Sequence, residues 1–486
     1  MRTSGSYLVY VLCGLLFMAG MSAPAQMIDM SNPTKLPGKT GKFRIIGKNN
    51  DGIVVRMYGA EDVIEIYGDD LRLITSKTIH FKNQDGVLQH IMLNKTGAVM
   101  FYLQQDKKVN ILFAQPVNSK LIEIGKPIPI DTIIDRKDLV SQNLRFKQSP
   151  DQSNLLIYYP FFVGNDAQTL RIITLNQALE RISYYQIPFA KSERELEEMK
   201  TIVDNEGNSY IIIRSKERTT SEKFEVYRSA ADGSFQTFQF TVSKKIFGEH
   251  VLEFDHRHKR LVLTALFDDE TKGNEDAAHG LLYVAVDAAT GAVVNNTEMY
   301  FPRSFIQELT GRDPKDSGKL YTFNIRKTIL RNDGGALILA ESFIRDLRET
   351  VMPIGFQPGM NTMVRTTIYQ YNDVVGFSLN ASGNLDWYNI MRKKQVSEDD
   401  NGYYSSFIIM NRKEQLHFVY LDEISYDGAC VQYTLKSTGT GERKPVFNQS
   451  EKDVMLLPKL GKQISPCELV IPSYRGGYFR LVKFVY

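Results

Sequence analysis

The sequence predicts an all-β fold, and three observations carry that prediction. First, seven polar reversals recur along the chain, at 48–52, 94–97, 149–154, 204–208, 255–260, 331–335 and 411–414, several of them built on Asn, Asp and Gly. Second, each leads into a short run rich in β-branched and aromatic residues, such as Ile53-Val54-Val55-Arg56-Met57-Tyr58 or Tyr210-Ile211-Ile212-Ile213, the composition of strands. Third, the reversals are spaced by about 50 residues through the first five units, room for four short strands each. Together these describe a ring of four-stranded antiparallel sheets, a β-propeller, with seven blades expected and eight the alternative.

Residues 1–25 are set apart from the fold. Arg2 precedes the apolar stretch Tyr7 to Met18 and the small-residue site Ala23-Pro24-Ala25, the pattern of a secretory signal peptide cut after Ala25. A lipid anchor on Cys13 is disfavoured, because Leu12 stands where a small residue is wanted. No second apolar stretch of spanning length follows, so the mature chain is expected to lack a transmembrane segment and to be exported to the periplasm, cell surface or exterior. Residues 26–40, with Pro33, Pro37 and Gly38 and little periodicity, read as a flexible leader. Residues 41–486 then form one propeller domain, a body that readily absorbs this length.

The first unit reads as strands at Phe43 to Ile46, Ile53 to Tyr58, Val63 to Tyr67 and Leu71 to Ile79; the second as Leu88 to Leu93, Ala98 to Leu103, Val109 to Phe113 and Leu121 to Ile124. Outer hairpins turn at Asp232-Gly233-Ser234, 287–291 and 380–384. A short capped helix is expected at Ser192 to Lys200, where Ser192 and Glu195 fit a capping box. The tail, Glu468 to Ser473 and Tyr478 to Tyr486, either shares a sheet with the N-terminal strands or makes an eighth unit. Sharing a sheet would close the ring with both chain ends and remove free edges.

Val203-Asp204-Asn205-Glu206-Gly207-Asn208-Ser209-Tyr210-Ile211 resembles the Asp-x-x-Gly-Asn-x-Tyr turn of NHL-like and related exported bacterial propeller repeats. Gly383-Asn384-Leu385-Asp386-Trp387 resembles their outer-strand turn. The resemblance implies propeller repeats and says nothing of activity, since propellers bind, scaffold and catalyse. Asp255-His256-Arg257-His258 lacks the Gly, and Gln415-Leu416-His417 replaces the Gly-Asn pair, so no single repeat family follows.

Extra sequence is concentrated in the fifth and sixth units, at 268–276, 301–321 and 343–365. Because blade strands alternate in direction, the connection after the second strand and the link into the next blade emerge on one face, which collects all three insertions. Loops on a rigid scaffold are where binding usually resides. The rim residues expected to meet a protein or glycan partner are Phe343, Met352, Phe356 and Met360, apolar for a loop, with the acidic Asp268, Asp269 and Glu270.

Chemistry is sparse. The net charge is +3, so neither nucleic acid nor an anionic membrane is implied, and Arg392-Lys393-Lys394 reads as a solvated turn. His256 and His258 alternate, so on a strand they would share a face and could meet a metal. Cys430 and Cys467 are an even pair in an oxidising compartment and could bridge. The acidic stretches do not match a calcium loop, and no G-x-S-x-G, P-loop or H-E-x-x-H pattern occurs. No cofactor is implied. The reading is an exported, non-enzymatic binding propeller, the alternatives being a polysaccharide-active enzyme or a subunit of an envelope secretion or surface assembly.

Overall fold

The computed structural model describes residues 27–36, 42–59, 61–81, 86–106, 109–134, 143–163, 167–189, 198–216, 221–269, 277–312, 319–353 and 361–486. They form eight sheets, each with four antiparallel strands following one another outward. Blade 1 runs through Lys42–Asn49, Gly52–Tyr58, Val63–Tyr67 and Leu73–Thr78. Blades 2 to 7 begin at Gly86–Leu93, Arg145–Gln148, Lys200–Val203, Lys245–Asp255, Phe323–Leu330 and Phe407–Arg412, and blade 8 begins at Lys462–Ser465. All seven predicted reversals join the first and second strands of blades 1 to 7.

The two-residue period of a strand explains the ring. In Gly52–Tyr58, Ile53, Val55 and Met57 enter one apolar cluster with Val470, Phe479 and Leu481 of blade 8, whereas Val54 enters another with Leu88, Ile91 and Met100 of blade 2. A strand between two neighbouring sheets buries both faces, so it reads as a nearly unbroken apolar run. The same division recurs at every junction, giving one buried cluster between each adjacent pair of blades, eight in all. The ring is therefore closed by eight sheets, one more than the seven reversals count.

Closure uses both chain ends. Met27–Met30 pairs antiparallel with Tyr478–Val485 as the outermost strand of blade 8, and Thr34–Lys35 pairs with the same strand. Ser31 exchanges hydrogen bonds with Leu481, its N–H donating to the Leu481 carbonyl and its Oγ accepting from the Leu481 N–H, both at 2.9 Å. The leader expected over 26–40 is thus, from Met27 to Leu36, part of the last sheet. Blade 8 escaped the reversal count because Pro466 and Cys467, between its first two strands, lack the Asn/Asp/Gly signal.

One further expectation changes. The fourth strand of blade 2 is Ile128–Ile134; residues 121–124 leave a turn, in which the Asn118 side chain accepts from the N–H groups of Lys120 and Ile122 and Leu121 has φ +57°, and make only an isolated bridge, Glu123 with Val117. A buried leucine there signals packing against the turn, not a strand. The helix expected at Ser192 falls outside the described residues, as do residues 1–26. At the outer turn of blade 6, Gly383 has φ +79°, and a Cβ there would lie 2.7 Å from the Cβ of Thr297 in blade 5, so both the turn and the close approach require glycine. Among the described residues, no helix is long and apolar enough to cross a membrane.

Candidate recognition face

The insertion in blade 6 is a hairpin arm. Its second and third strands, Ala336–Pro353 and Asn361–Leu379, stay paired from Phe343 opposite Tyr371 out to Pro353 opposite Asn361, well past the other strands of the blade. At a strand rise of about 3.3 Å per residue, the ribbon projects roughly 30 Å. Its base is anchored. Gln395–Glu398 adds a short strand against Ile368 to Tyr371, and the Phe343 and Tyr371 rings meet at 4.7 Å. Phe343 is therefore part of the anchor, not a free rim residue. Beyond it the alternation places Leu347, Val351 and Met363 on one side of the ribbon, 58%, 60% and 61% exposed, beside the Glu349–Arg365 ion pair at 2.8 Å. Met352 pairs with Thr362 in the ladder just short of the tip; Phe356, Met360 and Glu270 lie outside the described residues.

Beneath the arm sits a buried ionic cluster. The Glu341 and Lys393 side chains have no exposed surface and meet at 2.9 Å. Lys393 Nζ also donates to the Tyr371 carbonyl at 2.8 Å and to Gln395 Oε1 at 2.9 Å; Arg326 Nε and Ser406 Oγ donate to Glu341 Oε2 at 2.9 and 2.7 Å. Lys393, expected in a solvated turn, is thus a core residue, and a basic run cannot reveal which of its members turns inward. Burial pushes its pKa down, with Glu341 drawing it back up. Lys459, from the link into blade 8, donates to Tyr371 Oη at 2.6 Å and to the Gly402 carbonyl at 2.7 Å, with its ammonium 3.8 Å from the Tyr371 ring centre. Burial, aided by Arg326 and Lys393 against the pull of Glu341 and Asp400, lowers Lys459 to about 8.

The acidic rim expected in blade 5 is a structural network. Asp268 and Asp269 are both buried: Lys244 Nζ lies 3.1 Å from Asp269 Oδ1, the Tyr300 hydroxyl donates to Asp269 Oδ2 at 2.6 Å, and His279 Nδ1 lies 3.4 Å from Asp268 Oδ1. Asp399 and Asp400 likewise cap turns, accepting from the N–H groups of Thr367 and Gly402. His256 and His258 stand in a turn, where alternation no longer puts two side chains on one face. His258 Nδ1 is 2.8 Å from Asp255 Oδ2, and His256 meets Phe254 edge on. Among the described residues, no three His, Cys, Asp or Glu side chains are grouped to hold a metal ion.

The possible disulfide is not formed. Cys430 is a buried free thiol near the start of the third strand of blade 7, on the insertion face, and Cys467 is an exposed free thiol in the reversal of blade 8, on the opposite face. Burial pushes the Cys430 thiol far up, which keeps it protonated. Tyr158 and Tyr159 are buried, and Trp387 packs between blades 6 and 7, its indole N–H donating to the Ser437 carbonyl at 3.1 Å.

One feature escaped the sequence reading altogether. Near-neutral overall, the chain places Arg44, Arg145, Lys147, Arg326, Lys327 and Lys462 as exposed cations on the innermost strands, against the acids Glu249 and Glu253. Glu253 of blade 5 is pushed up by burial and drawn down by Lys147 of blade 3 and Lys327 of blade 6. Where blades 8 and 1 meet on the insertion face, a groove of about 720 Å³ is lined by Lys42, Phe43, Arg44, Ile45, Tyr58, Tyr403 and residues 459–462. None of the described residues lining it is Asp or Glu. A total charge averages over the ring; only strand position separates the axis from the outside.

No family model matches the chain, and no curated protein matches it. Similar solved structures include lmo1340 of Listeria monocytogenes EGD-e, 9% identical over 81% of this chain and 90% of that one, with a TM-score of 0.36. Sqt1 of Chaetomium thermophilum, solved bound to the N-terminus of ribosomal protein L10, is 9% identical over 94% of this chain and 100% of its own, with a TM-score of 0.41. An oligogalacturonate lyase in complex with manganese is 8% identical over 82% and 96%, with a TM-score of 0.33. At such values no activity is carried across. The propeller architecture rests on the eight sheets and the eight cores between them.

Proposed function

We propose that this chain is an exported, non-enzymatic propeller that holds a protein or glycan partner on its insertion-bearing face, with the blade 6 arm as the main contact. The observation that carries this reading is the arm itself. A two-stranded ribbon is at best marginally stable in water, yet this one presents Leu347, Val351 and Met363 to solvent on one side, above an anchored base. Burial of that apolar side against a partner would stabilise both. Export is supported by the pattern of residues 1–25, and the Asp204 turn, with its likeness to NHL-like bacterial repeats, agrees with a propeller scaffold.

Replacing residues 349–365 by Asn-Gly joins Arg348 to Thr366, which already pair, through a two-residue reversal. The shortened protein should keep its far-UV circular dichroism and melting temperature, and should no longer retain the partner that the intact chain captures from an envelope extract. Equal capture by both proteins would remove the arm from recognition.

A further inference from the structure

The seam between blades 8 and 1 holds a second surface whose chemistry is more specific than that of the arm. Lys42 and Arg44 alternate along the first strand of blade 1 and so share a face. Lys459 and Lys462, from the link into blade 8 and from its first strand, line the same groove. Lys459 donates only to neutral oxygens, the Tyr371 hydroxyl and the Gly402 carbonyl, and Lys462 donates to the Ile46 carbonyl. Among the described residues, none of the four cations forms an ion pair with a carboxylate. Buried cations elsewhere are paired, Arg56 with Asp62 at 2.6 Å and Arg171 with Asp131 at 2.8 Å. Four cations lining one concavity repel one another, with Glu341 and Asp400 drawing on Lys459, and a bound counter-anion lowers that cost.

From this geometry we infer that the seam groove binds an acidic oligosaccharide of the uronate type, its carboxylates held by the cations that line it, Lys42, Arg44, Lys459 and Lys462. Half-buried Tyr58 and Tyr403 complete the lining. A uronate unit carries a ring face for an aromatic side chain and a carboxylate for a cation in the same residue, whereas an acidic peptide brings the carboxylate without the ring. The volume of about 720 Å³ falls among small-ligand sites. Separately, burial and Arg44 push Lys462 below its ordinary range, in keeping with crowded cations. Because Lys42 and Arg44 belong to the first blade and Lys462 to the last, a ligand bridging them also ties the ring at its seam. This inference rests on the insertion face being the recognition face, but not on the arm.

The test is calorimetric titration of the full chain with trimannuronate, neutral mannotriose and hexaglutamate, together with melting curves. Trimannuronate should bind and raise the melting temperature, as any ligand of the folded state alone must. The Lys42→Gln/Arg44→Gln variant should weaken binding about tenfold, and Lys42→Arg/Arg44→Lys, which keeps both charges, should retain most of it. Lys413→Gln on the opposite face and the shortened arm should leave trimannuronate affinity unchanged, so failure of the arm and failure of the groove are separate results. Binding of mannotriose as tight as that of trimannuronate would overturn the role of charge. Equal binding of hexaglutamate would overturn the sugar assignment, and full affinity in the Gln variant would overturn the site.

Discussion

At the scale of single residues, the buried charges dominate what substitution should do. Glu341→Gln leaves Lys393 in the interior with no carboxylate, and loss of one partner from a buried pair costs about 3 to 5 kcal/mol. Chemical denaturation should show that loss, with Lys393→Met in the same background recovering part of it; strictly additive losses would mean that the two are not coupled. His90 offers a pH test. It stacks on Phe146 at 4.7 Å, and burial, with Arg44, Arg56 and Lys462 nearby, lowers it from 6.5 to about 4. Between those values the unfolded chain takes up a proton that the folded chain refuses. The stability tied to neutral His90 is therefore complete above about pH 6.5 and is lost as the pH falls toward 4. His90→Phe keeps the stacked ring and removes the proton site, so its stability relative to the parent should rise on acidification, by on the order of 2 kcal/mol at pH 4. A difference that stays flat with pH would put the acid sensitivity elsewhere. None of these environments was legible in the sequence, because a side chain's burial depends on which neighbouring blade it meets.

At the scale of elements, the sequence was read well wherever local chemistry decides. Reversals such as Asp204 to Asn208 form through their own atoms: Asp204 Oδ1 accepts from the N–H groups of Glu206 and Asn208, a turn that needs nothing from the rest of the ring. The arm was legible as an insertion but not as a ribbon. Its residues alternate only loosely, with Arg345, Asp346, Arg348 and Glu349 near the base, and charged stretches read as loop. Cross-strand pairing over its whole length is what orders it. Since both faces of its outer half are exposed, Val351→Asp/Met363→Asp should alter stability by no more than about 0.5 kcal/mol per site while abolishing partner capture. A large fall in melting temperature would instead show that those side chains are packed in solution.

At the scale of the whole molecule, stability should hinge on the seam. The ring is closed by the strand Met27–Met30, by Ser31, and by the ion pairs of Lys48 with Glu468 at 2.8 Å and Lys483 with Asp29 at 3.4 Å. A chain starting at residue 37 loses the outermost strand of blade 8 and exposes a sheet edge, so it should melt at lower temperature and associate more readily than a chain starting at residue 26. Hydrogen exchange should rise first in Tyr478–Val485. Unchanged melting and unchanged protection there would show that the closing strand contributes little.

The amino-acid sequence by itself determined the strands of most blades, the seven reversals and the places where extra residues leave the ring, because period-two patterning and turn chemistry act over a few neighbours. The tertiary structure alone decided the eighth blade, the burial of Asp268, Asp269 and Lys393, the separation of Cys430 from Cys467, and the gathering of cations at the axis. Those features join residues as far apart as Arg44 and Lys462, and closing the ring is the step that brings them together.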